Sequence, residues 1–413
     1  MPNIEGIRVL ISGASIAGAA TAHWLTRYGC AVTVVERSSA LRTGGQNVDF
    51  KGARQFDVLD RMGVLEQLRA LETGGSDIVF VTGENRPIAT LPGEFTGGDL
   101  EIGRGELAKV LHESVGTGCQ YLFDDSITSL QESSDGVRVS FERAKERTFD
   151  LVIGADGIHS NVRRLAFGAE EEHVRFLGYH YALADLPHMP ALPGTPAATG
   201  PGLMYNEPGR MVSAGGDKAP AFFVFASERP HDRHADPATQ KRFLTESYAG
   251  AGWEVPRLLA DLPDSENLHL DTLSRVEMDS YTRGRVALVG DAGYGNTLGG
   301  FGSGLSVVGA YVLAGELLAA DGEHRAAYRA YDRIMGSYAR VARKGNAGRF
   351  LAPRTRTGIH ARNALFRFRP LHNALMRSTD DFADAVQLRD YPGLVAGGTS
   401  MMSTRNAARP WPR

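Results

Sequence analysis

The opening of the chain constrains its fold more than any other feature. Ile7-Arg8-Val9-Leu10-Ile11 is a largely apolar, partly β-branched run of the kind found in a parallel strand buried on both faces. The turn Gly13-Ala14-Ser15-Ile16-Ala17-Gly18 follows, and a helical pattern then runs through Ala22 and Leu25 to Tyr28. Gly29 closes that helix, and Ala31-Val32-Thr33-Val34-Val35 reads as a second buried strand ending at Glu36. Such a strand–helix–strand unit offers the free N–H groups and positive dipole end of its helix to a pyrophosphate. Glu36, 23 positions beyond Gly13, stands where a carboxylate accepts hydrogen bonds from ribose hydroxyls. Ser15 occupies the place of the middle glycine. Its Cβ holds the backbone slightly farther from a phosphate, while its hydroxyl can itself donate. The unit predicts an adenine dinucleotide and leaves FAD and NAD equally open.

Two later blocks narrow that choice. In Asp150-Leu151-Val152-Ile153-Gly154-Ala155-Asp156-Gly157-Ile158-His159-Ser160 a buried strand ends in a Gly-Ala-Asp-Gly turn, with Ser160 as N-cap of a helix carrying Arg163 and Arg164. Alone, this corner requires no ligand, because Asp156 could serve only as a cap. In Gly284-Arg285-Val286-Ala287-Leu288-Val289-Gly290-Asp291 a further strand ends at an aspartate suited to the hydroxyls of a ribityl chain. Six glycines from Gly293 to Gly304 then precede an apolar helix reaching about Ala319. Glycines at this density before a strong helix favour close backbone approach to a ligand. The helix N-terminus there can face a flavin pyrimidine edge, where negative charge develops on reduction.

Composition limits the alternatives. A chain of 413 residues suits two interleaved domains. A formal net charge of −3 gives no electrostatic reason to expect nucleic acid or an anionic membrane as partner. Cys30 and Cys119 are the only cysteines, which argues against a disulfide scaffold or thiolate metal cluster and fits a cytoplasmic setting. The twelve histidines are scattered, so no metal site is expected, and no serine sits in a G-x-S-x-G elbow. The first apolar run is too short for a signal peptide. The 305–320 stretch, interrupted by Glu316, falls short of the ~20 residues needed to span a bilayer.

With these residues in view, the chain resembles the FAD-dependent monooxygenases of the p-hydroxybenzoate hydroxylase fold, including tetracycline-modifying and polyketide-tailoring members. The resemblance runs over about residues 7–323. GASIAG with Glu36-Arg37 is similar to the ADP-binding block, DLVIGADGIHSNVRR to the block associated with FAD and the pyridine nucleotide, and RVALVGDAGYGNTLGGFGSGL to the ribityl and isoalloxazine block. Arg104 resembles the arginine that opens a helix ending near the flavin. Tyr294 matches a position often held by histidine or tyrosine, whereas Leu298 stands where the family commonly has proline. The resemblance implies an α/β fold, with a Rossmann-like FAD-binding domain interleaved with a smaller β-sheet substrate domain and followed by C-terminal helices. It implies that FAD is held through Gly13, Ser15, Ile16, Ala17, Gly18, Glu36, Arg37, Arg104, Asp156, Asp291, Gly302, Gly304 and Leu305. It further implies NADPH or NADH as a transient reductant and O₂ as co-substrate. Oxygen would pass from a flavin C4a-hydroperoxide to a small aromatic or polyketide-like molecule, with hydroxylation the first expectation.

The expected division assigns 1–74, 95–173 and 274–345 to the FAD-binding domain and 75–94 and 174–273 to the substrate domain. A C-terminal helical segment over 346–392 and a flexible tail over 393–413 complete it. Strands are expected at 77–82 and 87–91 around a turn, at 178–182 and at 221–225. The Pro- and Gly-rich 186–208 stretch reads as a surface connection, 231–237 as a loop, and 324–344 and 361–377 as arginine-rich tail helices, solvated or bracing the two domains. A sheet rich in aromatics over the flavin would form an apolar substrate pocket. Phe222, Phe223 and Phe225 are its candidate contacts, with Tyr205 and Met204 as weaker ones, although for any one of them a place in the core is the better reading. No catalytic side chain can be assigned, since a flavin carries the hard chemistry itself. Two other readings stay open: a flavin-dependent reductase or oxidase that transfers no oxygen, and a non-catalytic flavin- or ligand-binding protein. A halogenase would carry W-x-W-x-I-P, which Trp24, Trp253 and Trp411 cannot supply. The chain is expected to be a monomer or homodimer.

Overall fold

The computed structural model describes residues 4–41, 44, 47–93, 98–195, 200–216, 221–300, 302–342, 345–367 and 388–391. The expected tail over 393–413 lies outside these residues, as does Phe301.

The first sheet grows from the opening unit. Strand β1 (Arg8–Ser12) pairs in parallel with β2 (Ala31–Glu36) across helix α1 (Ile16–Arg27). The ribbon β3 (Asn47–Phe50) and helices α2 (Ala53–Met62) and α3 (Leu65–Ala70) follow. Next come β4 (Ile78–Val81), β5 (Pro87–Leu91), β6 (Leu100–Gly103) and α4 (Arg104–Val115). Strand β7 (Cys119–Phe123) extends the first sheet, and β8 (Ile127–Ser133), β9 (Gly136–Phe141) and β10 (Arg147–Phe149) form an antiparallel three-stranded sheet. Strand β11 (Leu151–Gly154) returns to pair with β1. After helices α5 (Asn161–Ala166) and α6 (Glu170–His173), strands β12 (Val174–Ala184), β13 (Gly202–Glu207), β14 (Arg210–Ala214) and β15 (Ala221–Ala226) build the second sheet. Helices α7 (Pro237–Ser247) and α8 (Val255–Asp261) lead to its edge strand β16 (Leu268–Val276). The chain closes the first sheet with β17 (Thr282–Arg283) and β18 (Val286–Leu288) before α9 (Asp291–Tyr294), α10 (Gly302–Ala319), α11 (His324–Ala342), α12 (Ala347–Leu351) and α13 (Arg356–Arg367).

The first sheet has the order β17-β18-β11-β1-β2-β7, parallel except at β17. Its central strands are buried on both faces, which explains why they read as unbroken apolar runs. Helix α10 is the described helix long and apolar enough to cross a bilayer. Its apolarity has another cause: it packs against α1, α2 and α11, and nearly its whole circumference is buried.

The second sheet has the order β16-β12-β15-β14-β13-β4-β5, antiparallel except where β13 meets β4. Because side chains alternate along a strand, its two faces hold different residues. Ala182, Val212, Phe223 and Phe225 point at α7 and α8, where they meet Leu244, Tyr248 and Leu258. Phe80, Met204, Met211, Val224 and Leu273 point the other way, toward Leu298 and helices α12 and α13. Arg362 of α13 is a buried brace on that side. It donates to the Leu351 carbonyl at 3.0 Å and to Asn206 Oδ1 at 2.7 Å, and lies 4.3 Å from the Phe80 ring centre.

Two expectations about elements need correction. The 186–208 stretch is not connection throughout, because β13 lies inside it; Gly202, Leu203 and Met204 are buried between β14 and β4, a pairing that local composition does not reveal. The last described helix begins at Arg356 rather than 361, and the expected continuation beyond Arg367 lies outside the described residues. Residues 388–391 are fastened to α10, with the Tyr391 hydroxyl 3.0 Å from Glu316 Oε1 and the Tyr311 hydroxyl donating to the Arg389 carbonyl at 2.7 Å.

Candidate functional site

The C-terminal edge of the parallel sheet gathers most of the residues that the sequence singles out. Gly13 has φ +103, and a Cβ there would lie 2.6 Å from the Ala155 carbonyl oxygen. At Gly18 a Cβ would lie 1.8 Å from the Gly13 carbonyl oxygen. Both glycines are therefore demanded by contacts between backbones, one by conformation as well. Ser15 has φ −84, which any L residue adopts, so a side chain is tolerated at the fingerprint's middle position. Its hydroxyl does not cap α1, leaving the N–H groups of the first turn, at Ile16, Ala17 and Gly18, without a side-chain partner. Glu36 ties this turn in place: its carboxylate accepts from the Ala14 N–H at 2.8 Å and from the Ser38 N–H at 2.9 Å. Arg37 is exposed just beyond it.

The two aspartates of the later motifs differ sharply in what they do. Asp156 accepts from the Ser12 hydroxyl at 3.2 Å, the Asn161 N–H at 3.0 Å, the Val162 N–H at 3.1 Å and the Ser160 hydroxyl. Burial pushes its carboxyl up, and these donors hold it down. All of this is internal, so within the fold Asp156 serves as a cap and corner-former. Asp291 has no hydrogen-bond donor among the described residues. Burial raises its carboxyl too, opposed only by the charge of Arg104, which opens α4 on the far side of the site. A recessed carboxylate without donors costs free energy that ligand hydroxyls can return. The fold thus brings Arg104 and Asp291 together from distant parts of the chain.

Beyond Asp291 the backbone turns tightly. Tyr294 is buried behind the turn, and a Cβ at Gly309 would lie 1.9 Å from its hydroxyl, so this tyrosine fixes how α9 seats on α10. The Gly299 N–H bonds to the Asn296 carbonyl at 2.9 Å, and Leu298 at the third position of that turn has φ +57. This is the place where a type II turn calls for glycine. A proline ring, locked near φ −65°, could not occupy it, so the loop follows a different path from one with proline at this position. Gly302, Gly304 and Leu305 form the first turn of α10. A Cβ at Gly302 would lie 3.5 Å from Asp291 Oδ1, and one at Gly304 would collide with the Gln55 amide at 2.1 Å.

Gln55, which sequence reasoning did not single out, lies against the first turn of α10. It is 1% exposed, and its Nε2 is buried without a partner among the described residues. An unmade bond of this kind costs about 1–3 kcal/mol. A signal for it does exist: Gln55, Val58, Leu59 and Met62 form the buried stripe of α2, and a lone polar residue on such a stripe asks for a partner.

The expected substrate contacts are also corrected. Phe223 is fully buried against Tyr248, ring centres 5.3 Å apart, on the face covered by α7 and α8. Tyr205 lies on that same side, stacked on Trp253 at 5.6 Å and donating to Glu207 at 2.9 Å. The face turned toward the Leu298 loop carries Met204 and Val224 instead, their neighbours in sequence. Backbone bonds join that loop to the sheet, from the Val276 N–H to the Gly295 carbonyl at 2.8 Å and from the Thr297 N–H to the Ser274 carbonyl at 2.9 Å.

The group these residues suit is FAD. Uncapped helix N–H groups beside two glycines with no room for a side chain suit a pyrophosphate, and a recessed carboxylate without donors suits the hydroxyls of a ribityl chain. The FAD binding domain family matches residues 6–336. A flavin-dependent monooxygenase from an unknown prokaryotic organism is 36% identical over 347 residues, covering 82% of this chain and 87% of its own length. An uncharacterised protein of Mycobacterium tuberculosis is 40% identical over 331 residues, covering 78% of this chain and 88% of its own length. Among solved structures, the tetracycline destructase Tet(51) superposes with a TM-score of 0.77 at 29% identity, over 95% of this chain and all of its own. The chain belongs to the FAD-binding family of flavin-dependent monooxygenases.

Proposed function

We propose that this enzyme uses NADPH or NADH and O₂ to hydroxylate a flat aromatic or polyketide-like molecule bound where the loop after Asp291 meets the second sheet. The observation that carries this reading is the cluster joining Leu298 to Phe80, Met204, Met211, Val224 and Leu273. It seats the loop that follows Asp291 on the second sheet, so an apolar domain closes over the flavin side of the molecule, as binding of a planar organic substrate requires. The tetracycline destructase likeness favours a polycyclic, oxygen-rich member of that class.

In this arrangement FAD supplies the oxygen activation when bound. The chain's own residues do the rest. The β1–α1 turn and Glu36 hold the adenosine diphosphate, Asp291 binds the ribityl hydroxyls, and Arg104 balances the charge of Asp291. The first turn of α10 stabilises negative charge at the pyrimidine edge. Met204, Val224 and Leu273, buried beneath Leu298, back that junction with apolar side chains and keep water out of it. The proposed substrate side is residues 75–94 and 174–273, which carry most of the second sheet.

Consumption of NADPH and NADH by the FAD-loaded protein in air, with and without phenols, quinones and polyketides, tests the reading. One compound should raise the rate many-fold and gain a single oxygen atom by mass. Fast consumption with no oxygenated product from any compound would make the protein a reductase or oxidase instead. Asp291→Ala should strip or weaken FAD while leaving the fold intact, and unchanged flavin affinity would refute the placement of the ribityl chain.

A further inference from the structure

We propose that Gln55 positions the flavin: its side-chain N–H donates to the pyrimidine edge of bound FAD beside the first turn of α10, and stabilises the charge that arrives there on reduction. The inference rests on the placement of FAD given above and extends it to a residue outside the three motifs.

The argument starts from the orientation of the amide. Gln55 Oε1 accepts the Lys51 N–H at 2.9 Å, which anchors one end of the group to the backbone just before α2. Nε2 is thereby turned away from that backbone, and it is buried with no partner among the described residues. The whole amide lies against Gly304. A Cβ at Gly304 would lie 2.1 Å from both Gln55 Cδ and Oε1 and 2.3 Å from Nε2, so the amide rests directly on the backbone of the third residue of α10. The orphaned donor and the helix N-terminus therefore converge.

The chemistry of the donor points the same way. Val58, Leu59 and Met62 fill the rest of the buried stripe on α2, and a residue there with an acceptor alone would satisfy the Lys51 N–H and leave no unmade bond. The Lys51 bond uses only Oε1, and the fold gives the Nε2 donor no use. A flavin pyrimidine edge carries carbonyl oxygens that accept hydrogen bonds and gain negative charge when the ring is reduced. A fixed N–H aimed there binds the reduced form more tightly than the oxidised one, and so raises the reduction potential of the bound cofactor.

Two variants of the holoenzyme test this. Gln55→Met removes both donor and acceptor at nearly constant volume, whereas Gln55→Glu removes only the donor and keeps the acceptor for the Lys51 N–H. FAD affinity is read by titrating the apoprotein, and the potential of bound FAD by equilibration with a reference dye. Gln55→Met should weaken FAD binding about five-fold, the loss of one neutral hydrogen bond, and make the potential more negative. Gln55→Glu should lower the potential further, with a pH dependence that follows the new carboxyl. A purely structural role would lower the melting temperature of the apoprotein and leave affinity and potential at parental values in both variants, which overturns the proposal. Asp291→Ala separates the causes. If it releases FAD while both Gln55 variants match the parent, the Gln55 role falls and the site stands. If it too retains FAD unchanged, the placement falls and the Gln55 role with it.

Discussion

His159 gives the structure a pH dependence whose size and sign can be worked out. Its Nδ1 lies 2.8 Å from Glu170 Oε1 and its Nε2 3.1 Å from Asp271 Oδ1, so the ring is clamped between α6 and the edge strand of the second sheet. Burial alone would lower its pKa, but hydrogen bonds and charge from Asp271 and Glu170 prevail and push it up to about 9, from 6.5. Arg233 shares Glu170 at 3.3 Å, and Arg163 and His231 also face the cluster. Both carboxylates are held below their usual range, with burial opposing and His159 lowering them. A raised pKa in the folded state means that the protonated ring stabilises the fold fully below pH 6.5 and loses that contribution as pH rises through 9. The shift corresponds to about 3 kcal/mol at most, a large share of the roughly 5–15 kcal/mol typical of a folded protein. Unfolding free energies from urea titrations at intervals between pH 6 and 10 measure it. The parent should weaken steadily from pH 6.5 to 9, whereas His159→Gln should start less stable and stay nearly flat. A parent with no slope across that window, or a His159→Gln variant that keeps the parental slope, would refute the reasoning.

Other outcomes follow from the backbone. Gly13→Ala combines a positive φ with a collision against backbone that cannot yield, and should destabilise by roughly 2–5 kcal/mol in thermal or urea unfolding. Ser15→Gly relieves no strain, because φ is already ordinary there, and should change stability by less than about 1 kcal/mol. Leu298→Pro should destabilise by more than about 1 kcal/mol, since proline cannot adopt φ +57, while Leu298→Gly should keep the turn and loosen only its apolar contact. A Leu298→Pro variant melting with the parent would mean that the turn is not built as described.

Much of the flavin half was legible in the sequence because its signals are local. A buried strand, a glycine turn, a helix and a second strand are each set by side-chain period and backbone freedom within a few residues, so β1, α1 and β2 fall where the pattern puts them. The Ser160 cap is similarly local, and its hydroxyl does accept the Arg163 N–H at 3.0 Å. What the sequence could not decide was which groups those local elements leave unpaired. Asp156 and Asp291 both end strands beside glycines, and only the docking of neighbouring elements gives four donors to the first and none to the second. The second sheet shows the same limit at one-residue resolution. Phe223 and Val224 are equally apolar neighbours, and the choice of face depends on strand parity and on which side α7 and α8 cover. Gln55 meeting Gly304, and His159 meeting Asp271, join segments far apart along the chain. Sequence period specifies the conformation of each segment, while burial and electrostatics at their meeting points arise only once the segments are packed.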